Sequence, residues 1–403
     1  MSDGDDGRRP LDGVRVIEAS MIVAGPFCGS VLAEFGAEVI KIENPGEGDP
    51  LRNMVTTKEG DPLWFASTGR NKKSVTLALG TPEGARIFTD LVRSADVLLQ
   101  GFRPGVFERW GIDLEALMAE KPELIVLNVS GYGQTGPMRE VAGFGRTCQA
   151  FAGLTGLTGF PDRPPVTAPY PLGDYAAGLF GTIGVMMALY ERDAKKGRGQ
   201  TVDVSLFESV FRQLEFLAPE REQLGRVRER AEPFSAHSGP TGTWQARDGK
   251  WVAITCSTNA VFKRFAQAVG KPDLAEHPDF ATQKKRKEQE YVLSDLIAEW
   301  LSSKDGKEAV DVLNAHNVPT SLCMTIEDMV EDPQYQAREA IVAAPHPRFG
   351  SLSVNNVVPK LSRTPGRIDR LGPDLGEHTD AVLADLLGYD DQRLQELRNQ
   401  GVI

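Results

Sequence analysis

The sequence is poor in cysteine and lacks the segments that mark secreted or membrane proteins. Its four cysteines, Cys28, Cys148, Cys256 and Cys323, form no CxxC pair, which indicates neither a zinc site nor a disulfide framework. The first ten residues are polar and acidic, unlike a secretory signal. The longest apolar run, within residues 176–190, carries three glycines and is shorter than the ~18 residues of a membrane span. We therefore expect a cytoplasmic protein with reduced thiols and no membrane contact.

Excess basic charge is absent as well, and so are the common nucleotide-binding motifs. The net charge of −11 argues against nucleic-acid binding, which needs a basic face. No GxGxxG motif follows the first predicted strand, and no Walker lysine follows GYGQTG at residues 131–136, which disfavours both NAD binding and a P-loop. With 41% hydrophobic and 25% charged residues, the composition is typical of a soluble globular enzyme.

What the sequence does contain is an alternation of strand and helix patterns. Residues 11–43 predict a strand, a helix and a strand. Residues 72–100 predict the same order, with Thr81 as the N-cap and Pro82 at the first helical position. A further buried strand is predicted at ELIVLNVS, residues 123–130. This order is typical of a parallel sheet that binds ligands at the carboxyl ends of its strands.

One carboxylate, Asp174, stands alone at the start of a run of glycines, small residues and apolar residues in YPLGDYAAGLFGTIGVMMALYERDAKKGRGQ. Asp174 precedes a helical pattern, so one interpretation is a helix N-cap whose side chain accepts a hydrogen bond from the first turn. A carboxylate beside so little polar surface is also a candidate nucleophile or base. The local pattern leaves both interpretations open.

Six stretches in collinear order resemble the family III CoA-transferases, the group that includes formyl-CoA transferase and carnitine CoA-transferase. The stretches are LDGVRVIEASMIVAGPFCGSVLAEFGAEVIKIENPGEGDP, RNKKSVTLAL with TPEG, ADVLLQGFRPGVFERWG, SGYGQTGP, PLGDYAAGLFG with KGRGQTVDVSL, and LGEHTDAVLADLLG. No single stretch is specific, but their order covers nearly the whole chain.

The resemblance implies that Asp174 is the catalytic aspartate of a CoA-transferase. In that chemistry the carboxylate forms an aspartyl–acyl anhydride and then an aspartyl–CoA thioester, so no metal and no permanently bound cofactor is expected. Coenzyme A enters as an acyl-CoA substrate, and a carboxylic acid is the second substrate. The implied CoA-binding residues are Val23, Ala24, Lys72, Lys73, Phe102, Arg103, Arg109, Gly131, Tyr132 and Gly133.

The resemblance also implies an α/β fold with a Rossmann-like parallel sheet in a large domain, a smaller α+β domain, and an interlocked homodimer. A hetero-oligomer with a paralogous chain is a further possibility. The expected segments are 1–205 for the first part of the large CoA-binding domain, 206–235 for a linker, 236–320 for the small domain, 321–345 for a second linker and 346–403 for the part that completes the large domain.

The sequence departs from the formyl-CoA transferase pattern at several positions. Val23 stands where those enzymes carry glutamine, and Asn44 stands where they carry arginine. Their glycine loop has only a weak equivalent in HSGPTG, residues 237–242. Arg146 is the candidate for binding a second carboxylate, which would favour short dicarboxylic acids as substrates.

Two other functions remain open from the sequence. The α-methylacyl-CoA racemases of the same superfamily use the aspartate as a base beside a histidine, but that slot holds Phe144, and no histidine occurs between residues 1 and 236. A non-catalytic acyl-CoA-binding protein would keep the basic CoA contacts but would not need Asp174 and its glycines.

Overall fold

A computed structural model describes residues 7–54, 57–230 and 239–403 of the chain. The chain forms two compact units. The first contains residues up to Leu154 together with Ala168–Glu222 and Glu339–Ile403. The second contains Thr155–Thr167 and Gln223–Arg338. Both ends of the chain therefore contribute to the first unit, and the short segment 155–167 joins the second unit although no sequence pattern indicated this.

Strands and helices alternate along the first half of the chain. The strands are β1 (Arg15–Ala19), β2 (Glu38–Glu43), β3 (Thr57–Lys58), β4 (Asp61–Pro62), β5 (Lys72–Thr76), β6 (Val97–Gln100), β7 (Ile125–Ser130), β8 (Thr201–Ser205), β9 (Thr241–Gln245), β10 (Trp251–Thr255), β11 (Thr320–Leu322), β12 (Ile341–His346) and β13 (Gly350–Asn355). The helices are α1 (Ala24–Glu34), α2 (Leu63–Thr68), α3 (Pro82–Arg93), α4 (Val106–Arg109), α5 (Leu114–Glu120), α6 (Gly145–Phe151), α7 (Leu154–Leu157), α8 (Leu172–Ala194), α9 (Leu206–Phe211), α10 (Leu217–Leu224), α11 (Asn259–Ala268), α12 (Gln283–Glu288), α13 (Glu290–Ser302), α14 (Gly306–Ala315), α15 (Ile326–Glu331), α16 (Pro333–Ala337), α17 (Thr379–Leu387) and α18 (Asp391–Asn399), with short 3₁₀ turns at Pro50–Arg52 and Pro272–Ala275.

A six-stranded sheet forms the centre of the first unit, in the order β5-β2-β1-β6-β7-β8. Each neighbouring pair is parallel, so the Rossmann-like sheet expected from the sequence is confirmed. Val16 of β1 lies opposite Val39 of β2 and Val97 of β6. Because side chains alternate along a strand, Val16 packs in one buried core and Ile17 in the other, so both faces of the sheet are covered.

The helices that cover the sheet follow the expected signals. Thr81 accepts a hydrogen bond from the Gly84 N–H at 3.0 Å and begins α3, with Pro82 at its first position. Leu394 and Leu397 of α18 pack into the same core as α3. The C-terminal helices therefore complete the hydrophobic layer on one face of the sheet.

Helix α8 carries Asp174 and packs closely against α1 on the other face of the sheet. A Cβ added to Gly178 would lie 2.7 Å from the carbonyl oxygen of Ala24, so only glycine permits this approach. The apolar run of residues 176–190 lies within a longer helix, since α8 spans 23 residues, and its most apolar 18-residue window has a mean hydropathy of 1.4. It is the one helix of the described residues that could span a membrane by length and composition. Since 39% of that window is buried and core helices of soluble proteins pass the same test, this is weak evidence for a membrane segment.

The second unit has a three-stranded antiparallel sheet in the order β11-β10-β9. Strands β9 and β10 form an antiparallel hairpin, with Gly249 at φ 82° in its turn. Phe262 and Phe265 of α11 pack with Leu293 and Ile297 of α13 in its core. This unit is the α+β body expected after the parallel sheet.

Candidate active site

The carboxyl ends of the central strands surround a cavity of about 110 Å³ that contains Asp174. The chain leaves β1 at Ser20, β6 at Gly101, β7 at Gly131 and β8 at Leu206, and all four residues line the cavity. Because parallel strands end on the same side of a sheet, residues far apart in sequence meet there. The cavity therefore lies at the edge of the sheet where the sequence predicts that ligands bind.

Asp174 lies in the first turn of α8, but it is not the N-cap. The helix begins at Leu172, and Pro171 is the N-cap without a side-chain hydrogen bond. The capping interpretation of Asp174 is therefore wrong, because the helix starts two residues before it. The Asp174 carboxylate has no ion-pair partner among the residues that the structure describes. Burial raises the pKa of Asp174 to about 6, and the hydrogen bond from its own backbone N–H acts in the opposite direction.

The backbone of Gly145 lies directly against this carboxylate. A Cβ added to Gly145 would be 1.9 Å from Oδ2 of Asp174, a distance too short for any side chain at this position. Gly145 is the first residue of α6, after Phe144 at the N-cap. The glycine thus leaves the space in which the Asp174 carboxylate sits.

The start of α1 forms another wall of the cavity. Ala24 and Gly25 line it, and the N-cap residue Val23 provides no side-chain hydrogen bond to the first turn. Ile22, just before the helix, has φ 69°, a left-handed conformation that is strained for a β-branched residue. The Ile22 N–H donates to both carboxylate oxygens of Asp49, at 3.0 and 3.1 Å. This hydrogen bonding holds the strained turn in place.

A buried group of charged residues supports the same turn. Lys41 Nζ lies 3.0 Å from Glu18 Oε1 and 2.8 Å from Asp49 Oδ2, and it also donates to the carbonyl oxygen of Ser20 at 2.8 Å. Burial acts to lower the pKa of Lys41, but Glu18 and Asp49 outweigh it and raise the pKa above its ordinary value. Lys41 is therefore charged and joins β1, β2 and the segment around Asp49.

A second cavity of about 380 Å³ lies beside the first, again at strand ends. Its walls include Asn44 after β2, Leu77 after β5, and the rings of Phe102 and Trp110. Those two rings pack edge to face with centroids 5.0 Å apart. Strand β5 ends at Thr76, and Leu77, the next residue, lies in the cavity wall.

The CoA-binding candidates on the basic segments lie in different environments. Lys72 is fully buried, with Nζ 2.8 Å from Glu18 Oε2 and 2.6 Å from the carbonyl oxygen of Pro26, and burial lowers its pKa. Lys73 is partly exposed and pairs with Glu38 at 2.5 Å. Arg103 lines the Asp174 cavity, while Arg109 is exposed in α4. Arg103 therefore lines the same cavity as Asp174, whereas the Lys72 ammonium is buried inside the protein.

The remaining candidates lie around the ends of β7 and α6. Gly131 lines the Asp174 cavity, and the Gly133 N–H donates to Ser130 Oγ at 3.0 Å. Tyr132 packs on the ring of Phe151 with centroids 5.3 Å apart. Arg146 is exposed and, within the described residues, has no hydrogen-bond or ion-pair partner. Their roles at CoA or at the acid stay predictions.

Sequence reasoning missed Gly145, Ile22 and Lys41 as parts of the site. The pattern AGFGRT contains the glycine, but a close approach to a residue 29 positions later has no local signal. The charged pairs of Lys41 likewise depend on strand register. The weak glycine-loop candidate at 237–242 begins outside the described residues. The expectation of no bound metal or cofactor also stays a prediction, although the described residues contain no cluster of three potential metal ligands.

Comparison with known proteins identifies a family for the whole chain. The model of CoA-transferase family III matches residues 11–379. A succinyl-CoA–D-citramalate CoA-transferase of Chloroflexus aurantiacus is 42% identical over 98% of both chains. The beta subunit of a succinyl-CoA–L-malate CoA-transferase of the same organism is 44% identical over 100% of both. The crystal structure of a CAIB/BAIF family protein from Brucella suis superimposes with a TM-score of 0.83, at 31% identity, over 94% of this chain and 100% of that one.

Proposed function

This chain belongs to CoA-transferase family III and is a CoA-transferase, and from this we propose that Asp174 carries the transferred CoA between two dicarboxylic acids. The observation that supports the covalent role is the Asp174 carboxylate itself, which is largely buried, has no paired cation in the described residues and faces a cavity. A carboxylate freed from water and from counter-charges is a better nucleophile than one in solution.

The proposed reaction has two exchanges at one carboxylate. An oxygen of Asp174 attacks the thioester carbonyl, and the C–S bond breaks. The CoA thiolate departs, and the acyl group remains on Asp174 as an aspartyl–acyl anhydride. The thiolate then attacks the aspartyl carbonyl and releases the donor acid, which leaves an aspartyl–CoA thioester. The acceptor carboxylate repeats these steps in reverse. One thioester is exchanged for another, so the reaction needs neither an oxidant nor a reductant.

The surroundings of Asp174 suit the charge that develops on the attacked carbonyl oxygen. The first N–H groups of α1 have no side-chain cap, and Ala24 and Gly25 line the cavity. Free N–H groups at a helix start carry a partial positive charge. Donors fixed in this way stabilise an oxyanion without reorganising during the reaction.

For coenzyme A, the proposed position of the nucleotide is the larger cavity. Its aromatic wall of Phe102 and Trp110 is suited to a purine ring, and its volume of about 380 Å³ exceeds that of the Asp174 cavity. The pantetheine arm would then run past the end of β1 towards Asp174. Arg103 and Arg109 are the exposed cations proposed to contact the phosphates.

Short dicarboxylic acids are the proposed acids. Two relatives at 42% and 44% identity are named for succinyl-CoA with citramalate or malate. Arg146 supports the same proposal, because its guanidinium is unpaired within the described part of the chain and follows Gly145, which touches Asp174. Arginine can bind a carboxylate through two parallel hydrogen bonds.

The covalent role is tested by trapping the intermediate. We expect protein mixed with succinyl-CoA, quenched and digested, to carry CoA or succinyl on the peptide that contains Asp174. The Asp174→Asn variant should lose the label and the exchange of CoA with malate. Asp203→Asn is the matched control, because Asp203 is half-buried with a pKa raised by burial but lies in β8 and accepts from the Gln134 N–H. Near-native exchange by Asp174→Asn would refute the covalent role.

The choice of acid is tested by comparing two arginines. Arg146→Met should raise the KM of a dicarboxylate acceptor by about 10-fold or more, because a charge-assisted pair is lost. The same variant should leave the KM of a monocarboxylate of equal length unchanged. Arg103→Met should instead raise the KM of every acyl-CoA, whatever its acid. Equal effects of Arg146→Met on both acids would make Arg146 structural.

Racemisation fits the cavity less well than transfer. Within the described residues, the titratable side chains lining it are Asp174 and Arg103, and arginine does not act as a base at ordinary pH. Exchange of an α-proton with deuterated solvent by an acyl-CoA alone would favour the racemase alternative.

A homodimer is the proposed assembly. Helix α8 exposes a stripe of large apolar side chains, Leu179, Ile183, Met186, Met187 and Tyr190, at helical spacing. A continuous apolar stripe of this kind usually contacts another protein. The family resemblance points to a second copy of the chain, interlocked with the first. Because a relative is named as a subunit, a paralogous partner is the alternative.

A further inference from the structure

Ser20 lies at the point where the central sheet reverses its strand order. Strand β1 stands between β2 on one side and β6 on the other, and the chain continues from β1 to β2 outwards in one direction and from β6 to β7 in the other. In sheets of this type the crevice at the reversal is where ligands bind. Ser20 is the first residue after β1 and therefore sits at the mouth of this crevice.

The side chain of Ser20 is buried but lacks a partner within the part of the chain that the structure describes. Its relative exposure is 2%, and its Oγ makes no hydrogen bond to any of these residues. Buried hydroxyl groups are nearly always paired, so one without a partner needs an explanation. Ser20 lines both the larger cavity and the Asp174 cavity. Met21 is the other residue common to the two linings.

The position of this hydroxyl is held on both sides. The Ser20 carbonyl oxygen accepts from Lys41, and two residues later Asp49 holds the N–H of Ile22 in its left-handed conformation. A Cβ added to Gly25 would lie 2.4 Å from Ser20 Oγ, which puts the oxygen beside the first turn of α1. The charged network thus fixes a free hydroxyl between the two cavities.

We propose that the Ser20 hydroxyl binds an amide group of the pantetheine arm where the arm passes from the larger cavity to Asp174. The arm carries two amides and one hydroxyl group between the nucleotide and the sulfur, and the serine hydroxyl can either donate to an amide carbonyl or accept from an amide N–H. Ser20 is then a binding residue for the arm, which contributes to the affinity for CoA and does not touch the reacting atoms. This inference rests on the proposed function for the route of CoA.

The test compares ligands with and without the arm. Ser20→Ala should weaken the binding of CoA by about 3- to 10-fold, the usual range for one hydrogen bond between uncharged groups. The same variant should leave the binding of adenosine 3′,5′-bisphosphate unchanged, because that molecule lacks the arm. Ser30→Ala is the matched control. Ser30 is equally buried, but its Oγ already bonds the carbonyl oxygen of Pro26 at 2.8 Å, and it lines neither cavity.

Kinetics provide a second measurement. The KM of succinyl-CoA should rise in Ser20→Ala while kcat stays within about twofold, and the rise should be absent for a succinyl thioester of butanethiol, which has no amide. Unchanged CoA binding, or equal weakening of both nucleotides, would overturn the proposal. If Ser20→Ala did not fold, Ser20→Cys, with a weaker donor of similar size, should show a smaller effect of the same kind. A wild-type protein that bound CoA but exchanged no acid would refute the transfer mechanism and leave the binding comparison to decide the role of Ser20.

Discussion

At the scale of single residues, burial and not a neighbouring charge sets the pKa of Asp174. The described residues contain no cation paired with its carboxylate, and burial raises its pKa to about 6. A carboxylate whose pKa is higher in the folded than in the unfolded protein destabilises the fold once it is charged. This destabilisation is absent below the unfolded pKa near 4, grows between about pH 4 and pH 6, and is complete above about pH 6.

Asp174→Asn should therefore stabilise the protein at neutral pH. We expect the free energy of unfolding at pH 7 to rise by about 1–2 kcal/mol, less than the full pKa shift implies because Asp174 is partly accessible to water. The gain should shrink as the pH falls through 6 and disappear near 4. Urea unfolding at pH 7 and pH 5 measures it, with the exposed Asp385→Asn as control. A destabilised Asn variant at pH 7 would contradict this account of the site.

Gly145 is the second residue on which the site depends. Gly145→Ala would put a methyl group where Asp174 Oδ2 now lies, at 1.9 Å, so the carboxylate must move. A displacement of about 1 Å at a reacting group costs about 100-fold in rate, and we expect kcat to fall by that order. In Gly156→Ala the added methyl meets open space, and kcat should not change. Steady-state exchange assays on the two variants check this, and equal activities would show that Asp174 tolerates the shift.

At the scale of elements, the two faces of α8 have opposite roles. Ala177, Gly178 and Gly181 are buried against α1 and the sheet, together with Val185 and Leu189, while the large apolar side chains of the stripe on the other face are exposed. Small residues allow the backbones of α1 and α8 to approach, which brings Asp174 beside the start of α1. The face of α8 with the small residues therefore makes the close contact with α1, and Asp174 lies at the start of the same helix.

Gly178→Ala tests this contact. Its new Cβ would lie 2.7 Å from the backbone oxygen of Ala24, an atom that cannot rotate away. We expect a loss of about 1–3 kcal/mol in the free energy of unfolding, as for an overpacked core. Since Ala24 lines the Asp174 cavity, kcat should fall as well. Thermal unfolding and exchange assays measure the two effects. A variant of native stability would mean that the helices separate without cost.

At the scale of the whole molecule, the chain returns to its first unit after forming the second. Residues up to Leu154, Ala168–Glu222 and Glu339–Ile403 belong to one unit, with the second unit formed in between. The exposed stripe on α8 is the surface we propose for the partner copy.

The dimer is tested by light scattering on the purified protein. The wild-type chain should have twice the mass of 43.9 kDa, and the mass should not fall on dilution if the copies are interlocked. Ile183→Glu with Met187→Glu would put two charges in the stripe and should give monomer or aggregate. Lys196→Glu, outside the stripe, should leave the dimer intact. A wild-type monomer at micromolar concentration would refute the proposal.

Much of the architecture followed from local sequence patterns. Apolar runs and turn residues predicted the parallel strands, and Thr81 with Pro82 predicted the start of α3, because these signals act between residues close in the chain. The order of six motifs indicated the family and singled out Asp174. The composition of PLGDYAAGLFG already suggested a carboxylate with little polar surface around it.

Tertiary structure alone decided the geometry of the site. The helix that carries Asp174 begins at Leu172 and not after Asp174, so the carboxylate lies inside its first turn. Gly145 lies against Asp174, which follows 29 residues later, and Lys41 pairs with Glu18, 23 residues before it, and with Asp49. Among the described residues, the hydroxyl of Ser20 is left unpaired beside this network. Such contacts depend on sheet order and strand register, which a single sequence encodes only through the packing of the whole chain.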